Sequence, residues 1–189
     1  MTTDVLAALP DDVRMHGLAF RMKSPDSLAR KLNDRYEENL NRSIDATAGK
    51  ITDVVRSTAV TDSDRLVDTA RTMTGLLTER GWTVVEVEQS YIDGNQYKGV
   101  HMLARHPGGR IAEFQFQFHT EESQKIKDTT HVDYETVCNL DVPVAERAAL
   151  VEKMTDRWAQ LPAPAGLVEL TELGGCPVTP KIYTPPKMD

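Results

Sequence analysis

Residues 112–120 read Ala112-Glu113-Phe114-Gln115-Phe116-Gln117-Phe118-His119-Thr120. Apolar and polar side chains alternate without a break, the period-two signature of a strand with one face in a core. Phenylalanine fills that face, and a glutamate, two amides and a histidine fill the other. A polar row of this kind is either a solvated surface or the floor of a polar site. Two more strands precede it, over residues 82–92 and 97–105, separated by the turn signal Asp93-Gly94. Pro107-Gly108-Gly109 then turns the chain into the phenylalanine strand over residues 110–119. Three consecutive strands with one apolar face require helices to cover them.

The flanking sequence supplies those helices. Residues 25–43 read as a polar helix with a narrow stripe of Leu28, Leu32, Tyr36 and Leu40. Residues 50–60 have β character, and Asp62 or Ser63 starts a second helix that ends at Gly81. Helices over 120–138 and 144–161 follow the phenylalanine strand. The resulting order αβαβββαα predicts an α+β fold, a mixed or antiparallel sheet flanked by helices. Six of the ten prolines fall after residue 161. Residues 1–161 are therefore expected to form the domain and 162–189 an extended Pro-rich C-terminal tail.

At 189 residues, one domain with a substantial core is expected. The net charge of -7 argues against broad, non-specific binding of nucleic acid, though not against a small basic pocket. Cys138 and Cys176 have neither metal-ligand spacing nor a disulfide framework, which points to a reducing, cytoplasmic setting. No apolar stretch reaches the roughly 18 residues a membrane span needs, and the first twelve residues lack the basic start of a signal peptide.

Chemistry concentrates in Arg21-Met22-Lys23-Ser24-Pro25-Asp26-Ser27 and Lys31. Ser24 is an N-cap, Pro25 suits the first helical position, and Asp26 complements the positive helix end. Ser27 and Lys31 share a helical face. Amide groups, the helix dipole and three cations thus converge where a polyphosphate would bind. Asp53 stands among apolar neighbours in a predicted strand, where aspartate is disfavoured. Magnesium sites of nucleotide enzymes use one or two carboxylates with substrate phosphates, and Asp53 and Glu113 form the natural pair. Tyr97 and His101 have the even spacing of one strand face, with Gly99 between them permitting close approach or a bulge. His131 and Tyr134, one helical turn apart, read as packing residues.

Arg21-x-Lys23-x-x-x-Ser27-x-x-x-Lys31, Ile51-x-Asp53, Tyr97-x-x-x-His101 and Glu113-x-Gln115 occur in this order over roughly residues 20–135. Together they resemble the RelA/SpoT-type alarmone synthetases. The run His119-Thr120, Ser123, His131-x-x-Tyr134-Glu135 also resembles short domains of this family found in phage proteins and toxins. The resemblance implies a nucleotidyltransferase-like fold and transfer of the β,γ-pyrophosphate of ATP to the 3′-hydroxyl of a purine nucleotide. It implies that Arg21, Lys23, Ser27 and Lys31 hold the ATP phosphates and that Asp53 binds Mg2+. Glu113 would complete the metal site or activate the 3′-hydroxyl. Tyr97 would stack on the acceptor base, and His101 would touch the acceptor's phosphates or ribose. A homo-oligomer and, for a toxin form, an antitoxin partner are further implications.

Two positions depart from the family pattern. Thr58 stands where the family has an arginine against adenine, with Arg56 on the same strand face as its replacement. The phenylalanine strand also carries one extra repeat. Counting back from His119-Thr120 puts Gln115 at the catalytic position; counting forward from Gly109 puts Glu113 there. Three functions follow as expectations: a pyrophosphokinase acting on a free nucleotide, a nucleotide-binding or interaction module without turnover, and pyrophosphorylation of the tRNA 3′ end.

Overall fold

A computed structural model describes residues 8–37, 43–108, 113–139 and 141–183. Its strands are β1 (Arg14–His16), β2 (Arg56–Thr61), β3 (Thr83–Gln89), β4 (Val100–Arg105), β5 (Glu113–Thr120), β6 (Glu172–Leu173) and β7 (Cys176–Pro180). The helices are α1 (Pro25–Glu37), α2 (Ile44–Ala48), α3 (Leu66–Thr78), α4 (Glu121–Cys138) and α5 (Val144–Ala159), with a single 3₁₀ turn at Leu18–Phe20. No helix among the described residues is long and apolar enough to cross a membrane.

The strands form one mixed seven-stranded sheet in the order β1-β2-β5-β4-β3-β7-β6. β2 pairs with β5 in parallel, with Arg56 opposite Gln115 and Thr58 opposite Gln117. β4 pairs with β5 antiparallel, and here His101 lies opposite Gln117. β5 therefore sits between two partners, and its alternation sets the character of both sheet faces. Phe116 and Phe118 join Ala59, Val100, Met102 and Ala104 in the main core, which α3 covers with Leu66, Ala70, Met73 and Leu77. A second cluster of Val137, Met154, Trp158 and Leu161 packs the α4–α5 hairpin on the other side.

Asp53 lies ahead of β2 instead of inside the strand expected over 50–60. That segment is held by the chain before α1: Lys23 N–H donates to the Val54 carbonyl at 2.9 Å, and Arg56 N–H to that of Arg21 at 2.8 Å. The five-residue α2, too short to show a helical period, is an addition, with the Ser43 hydroxyl accepting from Ala46 N–H at 3.1 Å. α1 follows its predicted span to Glu37, and residues 38–42 of that span, with Leu40 of its stripe, lie outside the described residues.

The largest correction concerns residues 162–183, expected to be a tail with little structure of its own. Leu167, Leu170 and Leu173 are buried in the main core. β7 pairs in parallel with β3, Val87 opposite Val178. The prolines confine hydrogen bonding to an outer part of the sheet, as proline does, but three leucines at three-residue spacing carry enough apolar surface to dock. The boundary at 161 thus falls inside a packed unit. Leu170→Ala is expected to cost about 2–4 kcal/mol in chemical denaturation. An unchanged midpoint would show that the segment is dispensable to the core.

Candidate functional site

The polar face of β5 looks into a cleft of about 520 Å³. Gln115 and Gln117 form its floor; Arg56 and Thr58 from β2 and His101 from β4 flank them; α4 and α5 form a wall with Lys127 and Trp158. Arg21 and Asp53 stand at one end and Tyr97 with Tyr183 at the other. Of the residues singled out in the sequence, Arg21, Asp53, Arg56, Tyr97, His101 and Gln115 line this one cleft.

At the Asp53 end, Lys31 donates to Oδ1 at 2.7 Å and Lys23 lies 3.3 Å from Oδ2. The three side chains are each less than a third exposed. Burial alone would push the Asp53 carboxyl up, but the Lys31 hydrogen bond and the charges of both lysines outweigh it and hold the group below its usual range. Burial lowers Lys31 in turn, against the opposing pull of Asp53. Ser24 caps α1, its hydroxyl accepting from Ser27 N–H at 3.3 Å. The first motif and Asp53, 22 residues apart at the Lys31 pair, meet in one cluster.

The other end is an aromatic and imidazole network. Tyr97 precedes β4, yet its hydroxyl reaches His101 Nε2 at 2.9 Å and His119 Nε2 at 2.7 Å. Ser123 Oγ spends its proton on the Thr120 carbonyl, so the His119 Nδ1–H donates to Ser123 Oγ at 2.9 Å. Neutral His119 then accepts at Nε2 from the Tyr97 O–H, and Tyr97 accepts from the His101 Nε2–H. Burial, helped by the nearby Lys127 charge, pushes His101 down to about 3 and His119 well below its ordinary value, so both rings are neutral at physiological pH. The Tyr97 ring packs against Trp158 at 5.2 Å and edge-on to Tyr183 at 5.6 Å. Gly99 makes this closeness possible: a Cβ there would lie 2.9 Å from His119 Cε1 and 3.0 Å from the Tyr97 hydroxyl.

The two candidate positions on β5 separate clearly along the backbone. Gln115 pairs with Arg56 and lines the cleft. Glu113 lies opposite Arg105 at the opening of β5, before the pairing with β2 begins, and its side chain is outside the described residues. Among the described residues no group of three His, Cys, Asp or Glu side chains could hold a metal by itself. One carboxylate facing a cationic cleft fits a magnesium ion whose remaining ligands are substrate phosphates and water.

Sequence reasoning missed Lys127, Gln124 and Tyr183, all of which line the cleft, while Gln117 lies there as part of the polar row read from the strand. Gln124, Lys127, His131 and Tyr134 follow a 3-4-3 spacing on α4 and line the cleft together. That polar stripe is visible in the sequence as a helical face. Tyr183 gives no such signal, because it arrives through β7. Asn95 holds it there, donating to the Lys181 carbonyl at 2.8 Å and accepting from Tyr183 N–H at 3.0 Å.

No family model and no curated protein sequence matches the chain. Solved structures do. The protein smu.1046c from Streptococcus mutans superposes with a TM-score of 0.52 at 16% identity, over 83% of this chain and 78% of that one. The two share a fold. Small alarmone synthetase 1 from Bacillus subtilis gives a TM-score of 0.49 at 19% identity, over 78% of this chain and 72% of that one. A chain of the complex between the type VI effector Tas1 and its immunity protein also gives 0.49 at 19% identity, over 83% and 84%.

Two variants probe the geometry without any ligand. Asp53→Asn leaves Lys23 and Lys31 unpaired and is expected to lower stability by about 1 kcal/mol, between the exposed and buried limits for an ion pair. The depressed Asp53 contributes stability above its unfolded pKa and loses it as pH falls through the folded one, so the wild-type advantage should vanish in acid. Denaturation curves across acid pH check both points. Tyr97→Phe strands the His101 donor and the His119 acceptor, which should cost about 1–3 kcal/mol by the same measurement.

Proposed function

We propose that this chain is an ATP-dependent 3′-pyrophosphokinase acting on a free purine nucleotide. The observation that carries the reading is the convergence of Arg21, Lys23, Lys31 and Asp53 at one end of a cleft whose other end is aromatic. An acidic protein that gathers Arg21 and Arg56 in one recess is built to receive an anion there. The motif order adds the resemblance to RelA/SpoT-type synthetases, and the volume suits small-molecule substrates.

In this reading the ATP phosphates lie against the start of α1, with Arg21, Lys23, Ser27 and Lys31 as their donors. Arg56 stacks on or contacts the adenine side. Asp53 holds Mg2+ together with phosphate oxygens, and the ion would neutralise phosphate charge. Lysines that pair with Asp53 in the free protein are within reach of an incoming triphosphate, so substrate charge replaces the carboxylate as their partner. The acceptor base lies against Tyr97, with Trp158 and Tyr183 as further walls. The acceptor 3′-oxygen attacks the β-phosphorus and AMP leaves; catalysis is positioning and charge stabilisation.

A second reading, nucleotide binding without turnover, is favoured by the amide of Gln115 at the cleft floor, where a carboxylate would otherwise serve as base. Incubation with γ-labelled ATP, magnesium and GDP, GTP, ADP or AMP decides between them. Label on an acceptor supports the transferase; binding of ATP with no transfer to any acceptor supports the second reading. Tyr97→Ala is expected to raise the acceptor KM about tenfold or more while leaving that of ATP in place, the size of one lost stacking contact. An equal rise for both substrates would remove Tyr97 from the acceptor site.

A further inference from the structure

Lys127 occupies the junction between the two ends of the cleft. Its Nζ lies 2.6 Å from Gln117 Oε1 and 3.4 Å from His119 Nε2. Through Gln117, whose amide donates to Gln115 Oε1 at 3.0 Å, it connects to the strand position opposite Arg56. Through His119 it connects to the Tyr97 hydroxyl, which bonds the same Nε2 at 2.7 Å. The acceptor hydroxyl has to meet the ATP phosphates between these two halves. The acceptor of the Lys127 nitrogen is the Gln117 carbonyl oxygen; the one in-plane lone pair of His119 Nε2 already takes the Tyr97 O–H, so Lys127 makes only a loose contact there. A neutral amine has two N–H bonds and one lone pair. One strong donation leaves that lone pair available to the cleft that Lys127 lines.

We infer that Lys127 is the general base of the transfer, in place of Gln115, whose amide cannot take a proton, and of Glu113, which lies two positions ahead of the first β2–β5 pair. The inference rests on the pyrophosphokinase reading. The neutral Lys127 amine takes the proton of the acceptor 3′-hydroxyl. The 3′-oxygen bonds to the β-phosphorus of ATP. The bond from that phosphorus to the α,β-bridging oxygen breaks, and its electron pair departs on AMP. The ammonium then returns its proton to solvent.

The surroundings suit a base at working pH. Burial, helped by the Arg56 charge and opposed by the pull of Asp128, pushes the Lys127 amine down to about 8. Facing it are Arg56 from β2, neutral His101 from β4 and neutral His119 from β5, with the Tyr97 and Tyr183 phenols at the aromatic end. His16 of β1 lies 3.5 Å from Asp128, and His131 and Tyr134 continue the α4 face. Asp128 is the one carboxylate of α4 in that lining, and its Oδ1 already accepts from Gln124 at 2.7 Å.

The alternative role for a buried lysine here is a fixed cation that grips phosphate, and the two roles have opposite signatures. A base works deprotonated, so kcat/KM should rise with pH through about 8 and level off above it. A clamp works protonated, so kcat/KM should fall over the same range. Arginine keeps the charge but cannot give up its proton. The experiment is the pH dependence of pyrophosphate transfer for the wild type, Lys127→Arg, Lys127→Met and Lys127→Ala, with ATP binding and melting measured on each. The expected result is a loss of about a hundredfold or more in all three variants, absence of the rising limb, retained ATP binding, and partial rescue of Lys127→Ala by added ethylamine. Transfer retained in Lys127→Arg, or wild-type activity that falls as pH rises through 8, overturns the inference and leaves a phosphate clamp. Should the smaller variants fail to fold, the wild-type profile and Lys127→Arg still decide. Wild-type protein that transfers nothing to any acceptor refutes the pyrophosphokinase reading itself, and the general base with it.

Discussion

Parallel pairing of β2 with β5 is the constraint on which the cleft depends. It places Arg56 beside Gln115 and Thr58 beside Gln117, and it leaves β5 with β4 on its other edge. The same register turns Phe116 and Phe118 into the core beneath α3. A slip of one residue would exchange the two faces, burying amides and exposing phenylalanine. Core and cleft are thus two sides of a single register, and apolar burial on one side fixes polar geometry on the other. Thr58 strengthens the link, donating to Gln117 Oε1 at 3.2 Å.

Electrostatically the cleft is divided. Its Asp53 end holds full charges in mutual contact, where a carboxylate and two ammonium groups neutralise one another until something more anionic arrives. Its Tyr97 end holds titratable rings that burial keeps neutral. Isolated charges there would be costly to desolvate, so the network is built from neutral donors and acceptors whose directions fix one another. Lys127 stands where these regimes meet.

Much of this was legible in the sequence. Period-two alternation located β5 and its two faces, and the capped basic run located the start of α1. Both depend on neighbours in sequence, which local physics records. Arg56 and Thr58 share the cleft because strand alternation puts them on one face, as the spacing implied. Asp53 was misplaced within a strand because apolar neighbours such as Ile51 imitate β character; here Ile51 is buried outside any strand. Lys127 went unnoticed because a polar helical stripe usually means solvent. Residues 162–183 were misjudged because proline density outweighed three leucines, and only the tertiary core reveals where those leucines go. Tyr183 reaches Tyr97 through pairing of distant strands, which no local pattern encodes.

That distant pairing also sets an order of events. The Thr179 hydroxyl donates to the Val87 carbonyl at a sequence separation of 92, and Asn95 grips the backbone at Lys181 and Tyr183. Contacts of such separation form late, since a long loop must close before they return any energy. A growing chain can form α1 and bring Lys31 to Asp53 well before the strand that carries Tyr183 exists. The cationic end of the cleft is therefore assembled early and the aromatic end last, so a nascent chain has its charged half long before it has a finished cleft.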